Sequence, residues 1–275
     1  MKNCNFINNT ARRVGGGVWW YGANGTIISS TFTNNSAGTS GGAIYWDASN
    51  GVLTASTFIN NTANNEGGAV RWSSISPNGI LTDSTFIDNT ATLGGGVFWY
   101  GPNGVISSSN FTSNTASYNG GGILYQSDNG LVTDCTFNSN SATTNLGGGI
   151  SWSGKNGVIS NSKFNNNTAN IGASSIFWAS SATNNILKDS TFSSNTGKGG
   201  TIRLHAAGSM NNCIFVNPEW GVYNTIFTTS SVNINGGKGI INIIEGNATG
   251  ISIVVLNNET YYYPPNSNIN LPNKN

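Results

Sequence analysis

Charged residues are scarce in this chain. They make up 8% of its 275 residues, there is one histidine, and the formal net charge is +1. Such a surface has no basic patch for nucleic acid and no acidic field for cations. Runs of the ~20 apolar residues that cross a bilayer are missing as well. We therefore expect neither a nucleic-acid partner nor a transmembrane segment in this chain.

What the chain has instead is a repeat. Phenylalanine recurs at intervals of 25 to 28 residues, each time with asparagine three positions later. The phenylalanines are Phe6, Phe32, Phe58, Phe86, Phe111, Phe137, Phe164 and Phe192. A period in this range marks a solenoid, in which each repeat buries its apolar residues by stacking on its neighbours. Because hydrophobic residues make up 37% of the chain and recur in register, its Asn- and Gly-rich composition does not indicate disorder.

Each repeat contains three short apolar runs bounded by Gly, Asn or Ser, as in residues 50–76. The runs are rich in β-branched and aromatic residues and too short for helices, and the Asn-Gly pairs between them are turn signals. Three strands and three turns in each repeat predict one coil of a β-helix. We therefore predict an all-β fold, a single-stranded parallel β-helix of about eight to nine coils with three sheets.

The three cysteines share one position of the repeat, two residues before phenylalanine. Stacked strands are ~4.8 Å apart, so Cys4 and Cys135, five repeats apart, are separated by ~24 Å. By the same spacing Cys135 and Cys213 are ~14 Å apart. Both values exceed the ~7 Å limit between the Cα atoms of a disulfide. We expect three buried free thiols and no metal site.

The asparagine that follows each phenylalanine has a structural interpretation. Identical amides stacked ~4.8 Å apart can hydrogen-bond along the column as a ladder. We favour this ladder over ligand binding. Its members are Asn9, Asn35, Asn61, Asn89, Asn114, Asn140, Asn167 and Asn195. In most repeats a pair of glycines, such as Gly41-Gly42, stands shortly before an Ile or Val residue. The column formed by these Ile and Val residues is interpreted as core.

The strand after the Gly pair suggests a candidate binding surface. If its Ile/Val residue points inward, so does the aromatic residue two positions later, and the residue between them points outward. The outward residues are Trp19, Tyr45, Arg71, Phe98, Leu124, Ser151, Phe177 and Arg203. Four aromatics in one outward stripe are unusual on a soluble surface, and flat rings suit sugar faces or another protein. The candidate ligand-binding residues are therefore Trp19, Tyr45, Phe98 and Phe177. The alternative is that another part of the protein covers the stripe, or that its rings only stabilise the sheet.

Residues for catalysis form no recognisable constellation. Asp83, Asp134 and Asp189 share one repeat position in alternating coils, ~10 Å apart, and no base accompanies them. His205 is interpreted as a surface turn residue. We find no nucleophile motif, P-loop or metal-ligand spacing, so we predict no catalytic residue, metal or cofactor. A carbohydrate-active enzyme stays an alternative, because parallel β-helices also include polysaccharide lyases and hydrolases.

Potential N-glycosylation sequons are frequent. They begin at Asn8, Asn24, Asn34, Asn60, Asn110, Asn166, Asn247 and Asn258. Asn8, Asn34, Asn60 and Asn166 occupy the same repeat position, so one edge of the helix could carry sugars wherever glycosylation operates.

The repeat weakens towards the C-terminus, where Phe215 is followed three positions later by Pro218. We predict repeats over residues 1–215, irregular final coils or a C-terminal cap over 216–260, and an extended tail over 261–275. An immunoglobulin-like module is an alternative for the middle segment, although ~45 residues is short for one. The chain opens in mid-repeat without a signal peptide, so we expect a segment of a longer protein.

The pairing of Phe58-Ile59-Asn60-Asn61 with Gly67-Gly68-Ala69-Val70, and the motif Gly41-Gly42-Ala43-Ile44, resemble the repeats of the chlamydial polymorphic outer membrane proteins. The Asn- and Thr-rich style is closer to the adhesin-like surface proteins of methanogenic archaea. The resemblance covers about residues 4–215. It implies a right-handed parallel β-helix on a cell surface or outside the cell, with adhesion as its role, and it supplies no ligand.

Three hypotheses follow. The first is a monomeric, non-enzymatic, adhesin-like segment that binds glycans or proteins of a host or neighbouring cell through the aromatic stripe. The second is a carbohydrate-active β-helix enzyme. The third is a passive structural stalk.

Overall fold

The computed structural model describes residues 1–216 and, beyond them, the strands 224–228, 232–235, 241–244, 252–256 and 259–263. Up to the strand 241–244 the described chain is an all-strand parallel β-solenoid of about eight coils, as predicted, and the last two strands form a separate antiparallel pair. Strands of successive coils stack in parallel into four sheets, which we name after a typical inward residue: the Phe, Ala, Trp and aliphatic sheets. The described residues contain no helix that could span a membrane.

The strands are short, most of them three residues long. The Phe sheet consists of Asn5–Ile7, Thr31–Thr33, Thr57–Ile59, Thr85–Ile87, Asn110–Thr112, Thr136–Asn138, Lys163–Asn165, Thr191–Ser193 and Ile214–Val216. The Ala sheet consists of Thr10–Ala11, Ser36–Ala37, Thr62–Ala63, Thr90–Leu93, Thr115–Asn119, Ser141–Ala142, Thr168–Ala169 and Thr196–Gly197. The Trp sheet consists of Val18–Trp20, Ile44–Trp46, Val70–Trp72, Val97–Trp99, Ile123–Tyr125, Ile150–Trp152, Ile176–Trp178, Ile202–Leu204, Asn224–Thr228 and Ile241–Ile244. The aliphatic sheet consists of Thr26–Ile28, Val52–Thr54, Ile80–Thr82, Val105–Ser107, Leu131–Thr133, Val158–Ser160, Asn185–Lys188, Gly208–Asn211 and Val232–Asn235.

The prediction of three sheets was wrong, because the Ala sheet is a fourth. Its strands follow the ladder asparagine directly and are mostly two residues long, such as Thr62–Ala63. A Thr-Ala pair is too short to stand out as an apolar run. It forms a strand because the coils above and below hold it in register, with Ala63 opposite Ala37.

The Phe sheet contributes a continuous stack of rings to the core. From Phe6 to Phe215 the ring centroids of successive coils lie 4.7–5.0 Å apart and the ring planes are nearly parallel. Rings between these two ends, such as Phe58 and Phe137, have no exposed surface. Burying a side chain of this size contributes about 1.5–3 kcal/mol, so the stack is a main source of stability. It extends the predicted set of eight by one, Phe215.

The predicted asparagine ladder is confirmed. The Nδ2 of Asn61 donates to Oδ1 of Asn89 at 3.0 Å and to the carbonyl of Phe32 at 2.9 Å. The main-chain N–H of Asn61 also donates to Asn89 Oδ1, at 2.9 Å. The same links between neighbouring amides run from Asn9 to Asn195. Because interior members such as Asn89 are completely buried, a ligand cannot reach them.

A second buried polar column runs beside the rings and contains the cysteines. In most coils its member is serine: Ser84 Oγ donates to the Thr82 carbonyl at 2.8 Å and accepts the N–H of Ser56 at 3.2 Å. Cys135 takes this position in its own coil, with Sγ 3.2 Å from the Thr133 carbonyl. All three cysteines are free, as predicted. Cys135 and Cys213 are buried. Cys4 is half-buried because it lies in the first coil, which has a neighbouring coil on one side only, so the expectation of burial was wrong for Cys4.

Both residues of the Gly pair are required by the close packing of coils. Gly41 has φ +66°, a conformation that favours glycine. A Cβ on Gly42 would lie 2.0 Å from the carbonyl oxygen of Gly68 in the next coil. The pair therefore allows the chain to turn into the Trp sheet directly against its neighbour.

In the Asn-Gly turns after the Trp sheet, the asparagine adopts the left-handed conformation, and the glycine is required for a different reason, the close approach of an aromatic ring. The asparagine takes the left-handed conformation, for example Asn50 with φ 56°. Gly51 instead lies under the stacked indole of Trp46, where a Cβ would be 2.3 Å from ring atoms. Asn-Gly is thus specified by the aromatic core as well as by the turn.

Beyond residue 216, strands continue the solenoid. Asn224–Thr228 pairs in parallel with Ile202–Leu204, and Val232–Asn235 with Gly208–Asn211. Ser252–Leu256 pairs antiparallel with Glu259–Tyr263, a strand that crosses the predicted boundary at 260/261. The rest of the predicted tail, 264–275, lies outside the described residues, as do the sequons at 247 and 258. The division into 1–215, 216–260 and 261–275 stays a prediction.

Candidate binding surface

The predicted outward stripe lies on the outer face of the Trp sheet, but it is accessible mainly in the first coil, which has a neighbouring coil on one side only. Its residues pair in register from coil to coil, with Arg71 opposite Tyr45 and Phe98. Trp19 is 46% exposed, whereas Phe98 is 2% and Phe177 8% exposed. The expectation that Phe98 and Phe177 present accessible rings was therefore wrong.

Phe98 is buried because charged and aromatic side chains fold over the middle of the stripe. The Arg71 guanidinium lies between two rings, 4.9 Å from the centroid of Tyr45 and 5.6 Å from that of Phe98. Its Nε donates to Glu66 Oε2 at 3.0 Å, and Tyr100 contacts Phe98 edge-on with centroids 6.2 Å apart. Cation–π contacts of this kind contribute about 0.5–2 kcal/mol, so this part of the stripe stabilises the sheet, as the alternative interpretation held.

Phe177 is covered in a similar way near the end of the repeats. His205 contacts its ring edge-on, with centroids 5.2 Å apart. The Nε of Arg203 donates to His205 Nε2 at 2.8 Å, which requires that nitrogen to be unprotonated. Burial, with a smaller contribution from the Arg203 charge, lowers the pKa of His205. His205 therefore belongs to a packed contact and is half-buried, rather than being a free surface turn residue.

The accessible end of the stripe is a cluster of three rings, which we call the aromatic patch: Trp19, Tyr21 and Tyr45. The centroid of Trp19 lies 4.7 Å from that of Tyr21, tilted by 33°, and 6.0 Å from that of Tyr45, edge-on. Tyr21 is 64% exposed. Sequence reasoning missed Tyr21, although it follows Trp19 by two positions, the spacing that keeps two residues on one face of a strand.

Tyr45 brings a hydrogen-bonding group to the aromatic patch. Its hydroxyl accepts from Arg71 Nη1 at 3.0 Å, which leaves its own proton available to a ligand. Burial raises the pKa of Tyr45, an effect that the nearby Arg71 charge partly offsets. The phenol therefore stays protonated at neutral pH. The aromatic patch thus offers ring faces next to one directed polar donor.

Seven exposed asparagines form a further column beside the Trp sheet, at the turns that follow its strands. Each one after the first donates its Nδ2 to Oδ1 of the preceding member, at 3.0–3.3 Å. We call this set the turn amide column: Asn24, Asn50, Asn78, Asn103, Asn129, Asn156 and Asn184. The sequence indicated six of these as Asn-Gly turns, and only the coil stacking shows that their side chains bond to each other.

The carboxylates suspected of chemistry lie in turns. Asp83 and Asp134 adopt positive φ (50° and 55°), and each accepts a hydrogen bond from the preceding threonine hydroxyl. Over the residues that the structure describes, no three of His, Cys, Asp and Glu come together as a metal site would require. Burial raises the pKa of Cys135 and of Cys213 to about 12, so these thiols are poor nucleophiles.

The four sequons that share a repeat position begin in the turn that follows the Phe sheet. Asn8, Asn34, Asn60 and Asn166 are all exposed there, with φ between 53° and 58°. Their side chains are thus accessible to modification along one edge of the solenoid.

A match to a family model supports the architecture. Residues 1–132 match the family model described as a right-handed β-helix region. Among solved structures, ORF18 of Geobacillus virus E2 aligns with a TM-score of 0.47 and 10% identity. The alignment covers 95% of this chain but 56% of that one, so this chain spans little more than half of its length. No curated protein matches.

Proposed function

We propose that this chain is a cell-surface, non-enzymatic, adhesin-like β-helix segment that binds glycans or surface proteins through the aromatic patch. The observation that carries the proposal is the exposure of Trp19 and Tyr21 in mutual contact, on a surface with few charges. Large exposed aromatics in contact are rare on a surface without a partner. The cell-surface location rests on the resemblance of the repeats to archaeal adhesin-like and chlamydial outer membrane proteins.

A glycan is the ligand that this chemistry fits best. The C–H face of a pyranose ring packs on an aromatic face, and its hydroxyls need nearby donors and acceptors. Tyr45 supplies such a donor beside Trp19. Arg71, which contacts Tyr45, is paired with Glu66 at 3.0 Å, so it offers little attraction to an ionic ligand. The carboxylate of Asp47 is the other charge that acts strongly on Tyr45, and it would repel an acidic ligand.

A passive stalk is a second candidate, favoured by the buried ladders. Continuous hydrogen-bonded columns from Asn9 to Asn195 join every coil to the next and would make a stiff rod. Such a rod could hold other domains at a distance without binding anything itself.

The test is a glycan array probed with wild-type protein and a Trp19→Ala/Tyr45→Ala variant. Phe98 and Phe177 stay unchanged, because truncating a buried phenylalanine costs about 3–5 kcal/mol and would confuse folding with binding. Tyr118→Ala is the matched control, since Tyr118 is 50% exposed but outside the aromatic patch.

We expect wild type and the Tyr118→Ala control to bind the same glycans, and the double variant to bind at least 10-fold more weakly, which corresponds to ~1.4 kcal/mol. Equal binding by all three proteins would remove the role of the aromatic patch. Absence of any binding would favour the stalk. Release of sugar products from polysaccharides would instead support the enzyme alternative.

A further inference from the structure

The turn amide column has hydrogen-bonding capacity that the fold does not use. Each interior amide, such as Asn78, gives one N–H to the preceding member and accepts one from the following member. A primary amide has two N–H groups and two lone pairs, so one of each is left over. All seven members are exposed, and the unused groups therefore face solvent.

The hydrogen bonds within the turn amide column also fix the orientation of these unused groups. An isolated surface asparagine samples several rotamers, and ordering it on binding costs side-chain entropy. Here the bonds of 3.0–3.3 Å between neighbours hold the amides in one orientation. The result is a straight, pre-ordered row with one donor and one acceptor at every coil, ~4.8 Å apart.

Such a row matches a straight polymer whose repeating unit carries hydroxyls. A cellulose-like chain is extended, and each of its sugar units advances along the chain by about the distance between one strand and the next in a stack. Each hydroxyl both donates and accepts, as each amide does. An α-linked glucan winds into a helix and cannot stay in step with a straight row.

The charge around the row favours a neutral chain. Across the seven turns that carry the column, the charged residues are Asp47, Asp128 and Lys155, a net charge of −1. An acidic polysaccharide would find one cation along the whole column, Lys155 beside Asn156, and two carboxylates.

The row runs beside exposed rings of the outer face. Tyr21 precedes Asn24 by three residues, and Tyr100 precedes Asn103 by three. Three residues span at most ~11 Å, so a sugar held at these amides lies within reach of a ring. Tyr21 and Tyr100 are 64% and 42% exposed.

We infer that the turn amide column binds a neutral polysaccharide with an extended, cellulose-like backbone that lies parallel to the solenoid axis, one sugar unit per coil. The inference rests on the proposed glycan-binding function and deepens it. It requires affinity to increase with chain length up to about seven units, the number of amides in the column, and then to level off.

The test uses titration calorimetry with cello- and xylo-oligosaccharides of two to eight units, with maltohexaose as the α-linked comparison. The variant is Asn78→Gly/Asn103→Gly, because glycine adopts their φ of 58° and 56° without strain while removing the amides. The matched control is Asn34→Gly/Asn60→Gly, which changes two exposed asparagines with φ 55° and 53° in the turn after the Phe sheet. Urea unfolding establishes that both variants are folded.

We expect Asn78→Gly/Asn103→Gly to bind cellohexaose or xylohexaose at least 10-fold more weakly than wild type, and the control to bind them as wild type does. We expect no binding of maltohexaose by any of the three proteins. The inference is overturned if the affinity does not depend on the length of the oligosaccharide, or if it is the same for Asn78→Gly/Asn103→Gly and for the control. If the Trp19→Ala/Tyr45→Ala variant still loses glycan binding in that case, the proposed function stands without it. If wild type binds no oligosaccharide and no glycan on the array, both this inference and the proposed binding of glycans by the aromatic patch fall.

Discussion

Replacing Asn114 by alanine would test whether the buried ladder carries stability or merely accompanies the fold. Asn114 Oδ1 accepts both the main-chain N–H and the Nδ2 of Asn89, at 3.1 and 2.9 Å. Its own Nδ2 donates to the Phe86 carbonyl and to Asn140 Oδ1, each at 3.0 Å. Alanine therefore leaves two buried donors of Asn89 without an acceptor.

The expected loss of unfolding free energy follows from those two donors. An unsatisfied buried donor costs about 1–3 kcal/mol, so the variant should lose about 2–6 kcal/mol. That is a large share of the about 5–15 kcal/mol that stabilises a typical domain. Urea unfolding, followed by tryptophan fluorescence and far-UV circular dichroism, measures it.

Asn165→Ala is the matched control, because Asn165 is exposed on the outer face of the Phe sheet. Its amide donates to Asn138 and accepts from Ser193, both at 2.9 Å, but water can replace these bonds. We expect a change within about 0.5 kcal/mol. If Asn114→Ala and Asn165→Ala destabilise the protein equally, the stability of the coils comes from ring stacking and the ladder reasoning is refuted.

Three further predictions concern the core. Gly51→Ala should lower the free energy of unfolding by about 1–3 kcal/mol, because its Cβ would overpack Trp46. Gly22→Ala, whose Cβ would lie 3.7 Å from the nearest atom, should leave it nearly unchanged in the same urea assay. Equal effects of the two substitutions would contradict the packing argument. Native protein should react with a thiol reagent at Cys4 only, and urea should expose the other two; fast labelling of Cys135 in the folded state would show that its coil opens. Because burial raises the pKa of Cys135 and Cys213 to about 12, their thiols stay protonated in the folded state while unfolded thiols ionise near ~8.5. The two buried thiols contribute their full stabilisation below pH ~8.5, and this contribution is lost as the pH rises towards about 12. The Cys135→Ser/Cys213→Ser variant should therefore show a smaller fall in unfolding free energy between pH 8 and pH 11 than wild type. An equal fall in both proteins would refute the assignment of this pH dependence to the two thiols.

The exposed site could be predicted only in part. Alternation placed Trp19 and Tyr45 on the outer face, and that parity held for Phe98 and Phe177 as well. Parity does not report what lies above a side chain, however. Arg71 and Tyr100 cover Phe98, and His205 covers Phe177, through contacts that depend on how neighbouring coils stack.

The sequence by itself determined the solenoid, its coil length, the ring stack and the buried ladder. Each is a column of like residues at one repeat position, and a periodic chain buries such columns only by stacking them. Tertiary structure alone decided the fourth sheet, which pairs Ala63 with Ala37, and the bonds that join Asn24 to Asn50 outside the core. It also decided that Tyr21 is open and Phe98 covered. These features arise between coils, at distances set by packing rather than by the order of residues along the chain.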